Sequence, residues 1–243
     1  MKNSPQDSGR FRSKLLPVQH GFGLTFSERD LVDPLWLICH QVHSTEVLVC
    51  DSTHSNSLKA DGLILSTKGS IAIQTADCLP VLFSTRDGRA VAAVHAGWRG
   101  ALDGILPNAV QKLKGLGIPP EELLVAIGPC LRQCCFEISN ALVSDFETKW
   151  GGLWKNTEKP YSSKQPVSTR TSHQAKPLQE NIWMNLAEVA QLQLRDCGVR
   201  EIDELAICTY CHTDKNNEKL PSHRRATHEK NIPAGRLWSF ISK

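Results

Sequence analysis

The tightest constraint on this chain is a set of short, almost unbroken apolar stretches: "ADGLILST" (60–67), "SIAIQTADCLPVLF" (70–83) and "RAVAAVHAGW" (89–98). A strand with one wet face alternates apolar and polar residues, whereas a strand covered on both faces reads as a continuous run. These stretches, rich in β-branched residues and separated by Gly, Asp and Ser turns, therefore predict buried central strands. "HGFGLTF" (20–26) is strand-like, and "LWLICHQVHSTEVLVC" (35–50) reads as two apolar runs broken by a polar, His-rich segment. "IDELAICTYCHT" (202–213) reads as a last core strand.

Helical spacing lies between these runs. "GALDGILPNAVQKLKGLG" (100–117) places Leu102, Ile105, Ala109 and Leu113 on one face, with Pro107 arguing for a break or kink. "PPEELLVAIGPC" (119–130) begins as a helix start and returns to a strand, and "SNALVSDFETKW" (139–150) is helix-like. The clearest helix is "NIWMNLAEVAQLQLRDCGV" (181–199): Asn181 reads as its cap, Ile182, Leu186, Val189 and Leu192 as its apolar face, and Gly198 as its end.

At 243 residues the chain is long enough for one large domain. Residues 1–14 are polar and expected to be disordered, residues 155–180 read as a polar surface loop, and 15–243 reads as a single domain. The net charge of +3 gives no argument for a nucleic-acid or anionic-membrane partner. No apolar run approaches the ~20 residues of a membrane helix, and "MKNSPQDSGRFRSK" lacks the apolar core of a signal peptide. The expectation is a cytoplasmic protein whose nine cysteines are thiols or metal ligands.

His43 ("QVHS"), Cys78 ("TADCLP") and His95 ("AVHAGWRG") each fall at a predicted strand end. Ends of strands in one sheet converge on a common edge, so the three can share a site. Two imidazoles and a thiolate leave one position open on a tetrahedral zinc ion, and such an ion lowers the pKa of bound water. Buried small residues and satisfied core histidines are the plainer reading. A third reading pairs Cys78 as nucleophile with His95 as base, leaving His43 without a role. Asp77, adjacent to Cys78, points away from it in an extended strand and cannot readily orient His95.

In "HAGWRG" Arg99 is a candidate fork for phosphate or carboxylate. Arg224, Arg225 and Arg236 make "SHRRATHEKNIPAGR" basic, a solvated loop or a phosphate contact. "CTYCH" (208–212) matches haem-attachment and Cys-x-x-Cys redox patterns, but buried cysteines after an apolar strand are the preferred reading. Cys130, Cys134 and Cys135 of "IGPCLRQCCFEI" are open to core packing or a second metal site, without zinc-finger order.

Taken in order, "HGFGLTFS", "QVHS", "ADGLI", "TADCLPVLF", "HAGWRG", "IGPC…CFEI", "CTYCH" and "SHRR…GR" span residues 20 to 236. This combination resembles the YfiH/laccase-domain family, also called the purine nucleoside phosphorylase or polyphenol oxidase family. The resemblance implies an α+β fold of mixed β-sheets flanked by helices, similar to the catalytic domain of cytotoxic necrotizing factor. It implies zinc held by His43, Cys78 and His95; Asp77, to which the resemblance gives no role, is expected as an orienting carboxylate behind the ligands. The implied activities are phosphorolysis of adenosine, inosine and methylthioadenosine, and deamination of adenosine. Small nucleosides and phosphate are the implied partners. Cys78, His95, Asp77 and Arg99 are the candidate catalytic residues, and Arg99, Arg225 and Gln41 the candidate substrate contacts. A Cys–His hydrolase or amidase acting on peptidoglycan precursors is the alternative.

The chain departs from the family before and after "SHRR", where Leu220, Pro221 and Ala226 replace the usual two aromatics and an acid. Copper ranks below zinc, since multicopper oxidases need His-x-His pairs and the nine histidines here include none.

Overall fold

In a computed structural model of the protein, residues 10–25, 36–51, 57–164, 166, 182–214, 218–229 and 235–243 are described. Six strands form the central sheet: β2 (Val47–Cys50), β3 (Gly62–Leu65), β5 (Leu79–Thr85), β6 (Val91–Ala96), β7 (Leu123–Ile127) and β11 (Glu201–Glu204). Their order is β11-β7-β5-β6-β3-β2, parallel at the two outer pairs and antiparallel within. A second sheet, β1 (His20–Leu24), β12 (Leu237–Ser242) and β4 (Ser70–Thr75), is antiparallel. A third, small antiparallel sheet joins β8 (Glu137–Ile138), β9 (Tyr161–Ser162) and β10 (Ile182–Met184). Among the described residues there are five α-helices, α1 (Trp98–Asp103), α2 (Ile105–Gly115), α3 (Asn140–Trp150), α4 (Leu186–Asp196) and α5 (His223–His228), and three short 3-10 helices, Pro120–Glu122, Gln133–Cys135 and Gly151–Trp154. Mixed sheets with flanking helices make this an α+β fold.

Both faces of the six-stranded sheet are covered, and this is why its central strands read as continuous apolar runs. Val81, Phe83, Ala92, Val94, Val125 and Ile127 pack with α2 and α4 through Leu106, Val110, Val189 and Leu194. Their alternates Leu82, Ala93, Leu124 and Ala126 face the other way, against Phe22, Ile71, Ile73 and Ile241 of the second sheet. That sheet in turn covers its outer face with Trp36, which stacks on Phe240 at 5.0 Å.

Several boundaries differ from the sequence expectation. The helical run after Gly100 is broken at Gly104 rather than Pro107: Gly104 adopts φ 91°, ending α1 and starting α2, and Pro107 falls in the first turn of α2, where its missing N–H costs nothing. Ile182, Trp183 and Met184 form a strand instead of a first helical turn, because they pair with Ile138 and Tyr161. Asn185, not Asn181, caps α4 by accepting the Glu188 N–H at 3.2 Å; Asn181 lies outside the described residues. The expected strand at 202–213 is confined to β11 at the sheet edge, and the chain then turns through Cys208–Cys211. Leu237–Ser242, absent from the sequence reading, is the strand that completes the second sheet.

At the N-terminus the expected disordered tail overlaps ordered chain. Phe11 exchanges two backbone hydrogen bonds with Phe22, and Ser13 N–H donates to His20 Nε2 at 3.1 Å. Residues 1–9, and most of the polar stretch at 155–180, lie outside the described residues.

A covered sheet makes a measurable difference between its inner and edge positions. Phe83→Ala, at a site with 0% exposure, is expected to lower unfolding free energy by about 3–5 kcal/mol. Val49→Thr on the edge strand β2, 39% exposed, is expected to stay within about 0.5 kcal/mol. Urea unfolding with unchanged m-values reads both, and similar losses at the two positions would refute the double cover.

Candidate metal centre and its cavity

Asp61, immediately before β3 and fully buried, is the organising side chain. Its carboxylate accepts the backbone N–H groups of Val42, His43 and Ser44 at 3.2, 2.9 and 2.6 Å, and the Ser44 hydroxyl at 2.8 Å. The same carboxylate accepts His95 Nδ1–H at 2.8 Å, while the His95 backbone N–H donates to the Asp61 carbonyl at 2.7 Å. One acid thus holds the 42–44 turn against the end of β6. With Nδ1 committed, His95 is left with Nε2 for other chemistry.

Pairing of β5 with β6 brings in the thiol. Leu79 lies opposite Ala96 and Pro80 opposite His95, so Cys78 lands beside His95 and Gly97. Cys78 Sγ is 3.9 Å from His43 Nε2, and the ligand atoms of His43, Cys78 and His95 all lie within 4.8 Å of one another. A Cβ on Gly97 would stand 2.9 Å from His43 Cδ2 and 3.2 Å from Cys78 Sγ, so the cluster needs a glycine there for room rather than for backbone freedom.

Charges in the cluster are strongly coupled. Burial pushes the Cys78 thiol up, but hydrogen bonds and charge from His43 and His95 outweigh it and draw the thiol down to about 7. Burial likewise pulls His95 down, yet the Asp61 hydrogen bond and the neighbouring sulfur lift it to about 9. Asp61, despite burial, is held at about 2 by donors from His95, Ser44 and His43. The set suits a thiolate–imidazolium pair or a cation bound in place of the protons.

Backbone strain also gathers here. Among the described residues the non-glycine positions with positive φ are His43, at 60°, and Asp77, at 84°. Asp77 spends both carboxylate oxygens on structure: one accepts the Thr209 hydroxyl at 2.6 Å, the other the Arg224 backbone N–H at 2.6 Å. It ties the start of β5 to the 208–212 turn and to α5, while the task of orienting His95 falls to Asp61.

The cluster opens into a cavity of about 740 Å³. Arg99, Arg224 and Arg236 line it, together with the apolar surfaces of Trp98, Phe136 and Leu186. Arg99 lies over the Trp98 ring at 4.2 Å, and Arg224 pairs with Glu137. Gln41 also lines the cavity, with its amide engaged by the Gln74 backbone at 2.7 and 2.8 Å. Arg225 lies elsewhere: it is 4% exposed and its guanidinium donates to the carbonyls of Thr209, Tyr210 and Leu220. The step of about 100° between neighbours on a helix separates these adjacent arginines, and Arg224 is the one that reaches the cavity.

Asp61 is the site residue that sequence reasoning did not single out; of the basic stretch it noted as a possible phosphate contact, Arg224 and Arg236 line the cavity. Asp61 stands in "ADGLI", where an acid between apolar residues at a strand start is a visible oddity. Two substitutions test the cradle: Asp61→Asn and Gly97→Ala should each weaken retention of a metal ion loaded at His43, Cys78 and His95 by about 10–100-fold in a chelator competition. Wild-type retention in both would contradict this arrangement.

Comparison with known proteins places the geometry in context. The family described as "Multi-copper polyphenol oxidoreductase laccase" matches residues 24–243. The purine nucleoside phosphorylase YfiH of Escherichia coli is 31% identical over 209 residues, 86% of this chain and 73% of that protein. The purine nucleoside phosphorylase RC0672 of Rickettsia conorii is 32% identical over 194 residues, 79% of this chain and 71% of that one. YlmD from Geobacillus stearothermophilus aligns with a TM-score of 0.69 and 26% identity, covering 86% of this chain and 73% of its own. The hypothetical protein YfiH of Bacillus licheniformis shares the fold, with a TM-score of 0.71 at 23% identity over 89% of this chain and 78% of its own. On a match reaching from residue 24 to the last residue, the chain belongs to the laccase-domain family of YfiH-like proteins.

Proposed function

We propose that the chain is a zinc-dependent purine nucleoside enzyme that phosphorolyses adenosine, inosine and methylthioadenosine and deaminates adenosine. The observation that carries the reading is a His43–Cys78–His95 cluster at the floor of a cavity lined by three arginines. Relatives named purine nucleoside phosphorylase support the reaction class. The cavity volume falls within the range of about 300–1,000 Å³ usual for small-molecule sites.

The donor set fits zinc. One thiolate and two imidazoles are its usual ligands, and the sulfur–nitrogen separation of 3.9 Å is near the ~3.5 Å edge of a tetrahedron at zinc bond lengths. Zinc held there would supply Lewis acidity at the cavity floor. Copper also accepts two histidines and a cysteine, and ranks second.

The chain's own residues account for the rest. Phosphorolysis breaks the bond from ribose C1′ to the purine and forms one from C1′ to a phosphate oxygen. The guanidinium groups of Arg99, Arg224 and Arg236 offer forked donors to that phosphate. Trp98, Phe136 and Leu186 provide the apolar wall for a purine ring, a role that Leu220 and Pro221 cannot take by stacking, since Leu220 is buried. The departing base needs a proton, which His223 on the cavity wall can carry. Deamination uses water in place of phosphate, releases ammonia from C6 and leaves the ribose bond intact.

A second reading has one observation in its favour. Cys78 with its thiol drawn to about 7 beside His95 resembles a nucleophile–base pair, so a metal-free hydrolase or amidase on peptidoglycan precursors is the alternative.

Incubating adenosine with and without phosphate separates the outcomes. Adenine formed only with phosphate marks phosphorolysis; inosine formed without it marks deamination. Arg99→Ala is expected to raise KM for phosphate about tenfold or more while leaving inosine formation from adenosine less affected. No product under either condition, or full activity of a zinc-free His43→Ala protein, would overturn the zinc reading.

A further inference from the structure

A second group of metal-capable side chains lies behind the cavity wall. Cys134 and Cys135, on a short turn after β7, meet Cys208 and Cys211 of "CTYC", and the four sulfurs all lie within 4.8 Å of one another. We propose that these four thiols bind one zinc ion, separate from the His43–Cys78–His95 centre, which locks the turn at 208–212 onto the turn at 132–136.

The spacing carries the proposal. Cys134 Sγ stands 3.5 Å from Cys135 Sγ and 3.8 Å from Cys211 Sγ. A disulfide needs about 2.05 Å. Four sulfurs around zinc at ~2.3 Å are about 3.8 Å apart along each tetrahedral edge. A cluster of several irons would spread the four sulfurs further than this, so the spacing selects a mononuclear ion. Four thiolates are soft ligands that favour zinc over hard cations.

The surrounding backbone assembles the four without help from the ion. Cys130 N–H donates to the Ile207 carbonyl at 3.1 Å and Thr209 N–H to the Cys130 carbonyl at 3.0 Å, splicing the two segments together. His212 N–H closes the Cys-Thr-Tyr-Cys turn on the Cys208 carbonyl at 3.0 Å, and Cys135 N–H closes its own turn on Arg132 at 2.8 Å. Cys135 and Cys208 are 2% and 7% exposed, so an ion there would be largely enclosed.

Arg225 offsets part of the charge. Its guanidinium is buried and donates to the carbonyls of Thr209 and Tyr210, the two residues between Cys208 and Cys211, at 3.2 and 2.6 Å. Among the described residues no carboxylate forms an ion pair with it. A buried cation with only neutral partners is costly. Zinc with four thiolates carries a net charge of −4 + 2 = −2, and sits on the turn that Arg225 grips.

The centre also reaches the cavity without joining its chemistry. Thr209, inside the turn, donates to Asp77, and Phe136, next to Cys135, lines the cavity wall. Zinc at this place would fix one wall of the site and leave His43, Cys78 and His95 untouched.

Metal counting tests the proposal on the full chain, reduced anaerobically, loaded with zinc and desalted. Mass spectrometric metal analysis should give about two zinc per chain in wild type, about one in His43→Ala/His95→Ala, and about one in Cys134→Ser/Cys211→Ser. Loading the His43→Ala/His95→Ala protein with cobalt(II) should give the intense visible and sulfur-to-metal charge-transfer bands of a tetrathiolate site. That variant leaves the four cysteines intact, so misfolding of the cysteine variant does not decide the matter. No zinc and no thiolate–cobalt bands in His43→Ala/His95→Ala would overturn the proposal. Loss of nucleoside activity in His43→Ala/His95→Ala would bear on the first centre and not on this count.

Discussion

The carboxylate of Asp61 is the interaction on which the candidate centre depends. It is fully buried and accepts donors from two places at once: the 42–44 turn and the ring of His95. A buried carboxylate without such donors would be driven towards its neutral form; here the donors hold it at about 2, so it stays an anion. That fixed negative charge sets the His95 tautomer and carries His43, in a left-handed backbone conformation, to within 3.9 Å of Cys78. Without the Asp61 carboxylate, the 42–44 turn would lose its backbone acceptor and the His95 ring its Nδ1 partner.

The rest of the fold delivers Cys78 and the cavity to that point. Two apolar covers hold β5 and β6 in register, and the register puts the residue before β5 next to the end of β6. Gly97 then leaves the gap that the three side chains fill. Asp77, one residue before Cys78, ties the same strand start to Thr209 and Arg224, so the floor of the cavity and one of its cationic walls share an anchor. Cations and apolar rings face the cavity together, a combination that suits a ligand with an anionic end and a flat heterocyclic end.

Much of this was legible in the sequence, for reasons that separate into local and non-local. The central strands could be read because cover on both faces leaves a local mark, the unbroken apolar run at 79–83 and 91–94. Convergence of Cys78 and His95 could be read because each stands at an end of such a run, whereas His43 lies in a turn that Asp61 brings to them. Ile182–Met184 misled because its apolar residues continue the helical period of Leu186 and Val189, and only pairing with Ile138 and Tyr161, far off in sequence, decides for strand. Asp61 escaped for the same reason, since its donors come from segments that meet only in the folded chain. Arg224 and Arg225 could not be told apart without the start of α5, which turns one towards Glu137 and the other into the 208–211 turn.

The central claim is that His43, Cys78 and His95 bind one metal ion at the floor of the cavity. Anomalous diffraction at the zinc edge, on crystals of zinc-loaded protein, tests it most directly. The expected result is a strong peak in contact with Cys78 Sγ and one ring nitrogen of each of His43 and His95, with the fourth side of the ion facing the cavity. Density at that position with no anomalous peak, or with Cys78 turned away from the ion, would contradict it.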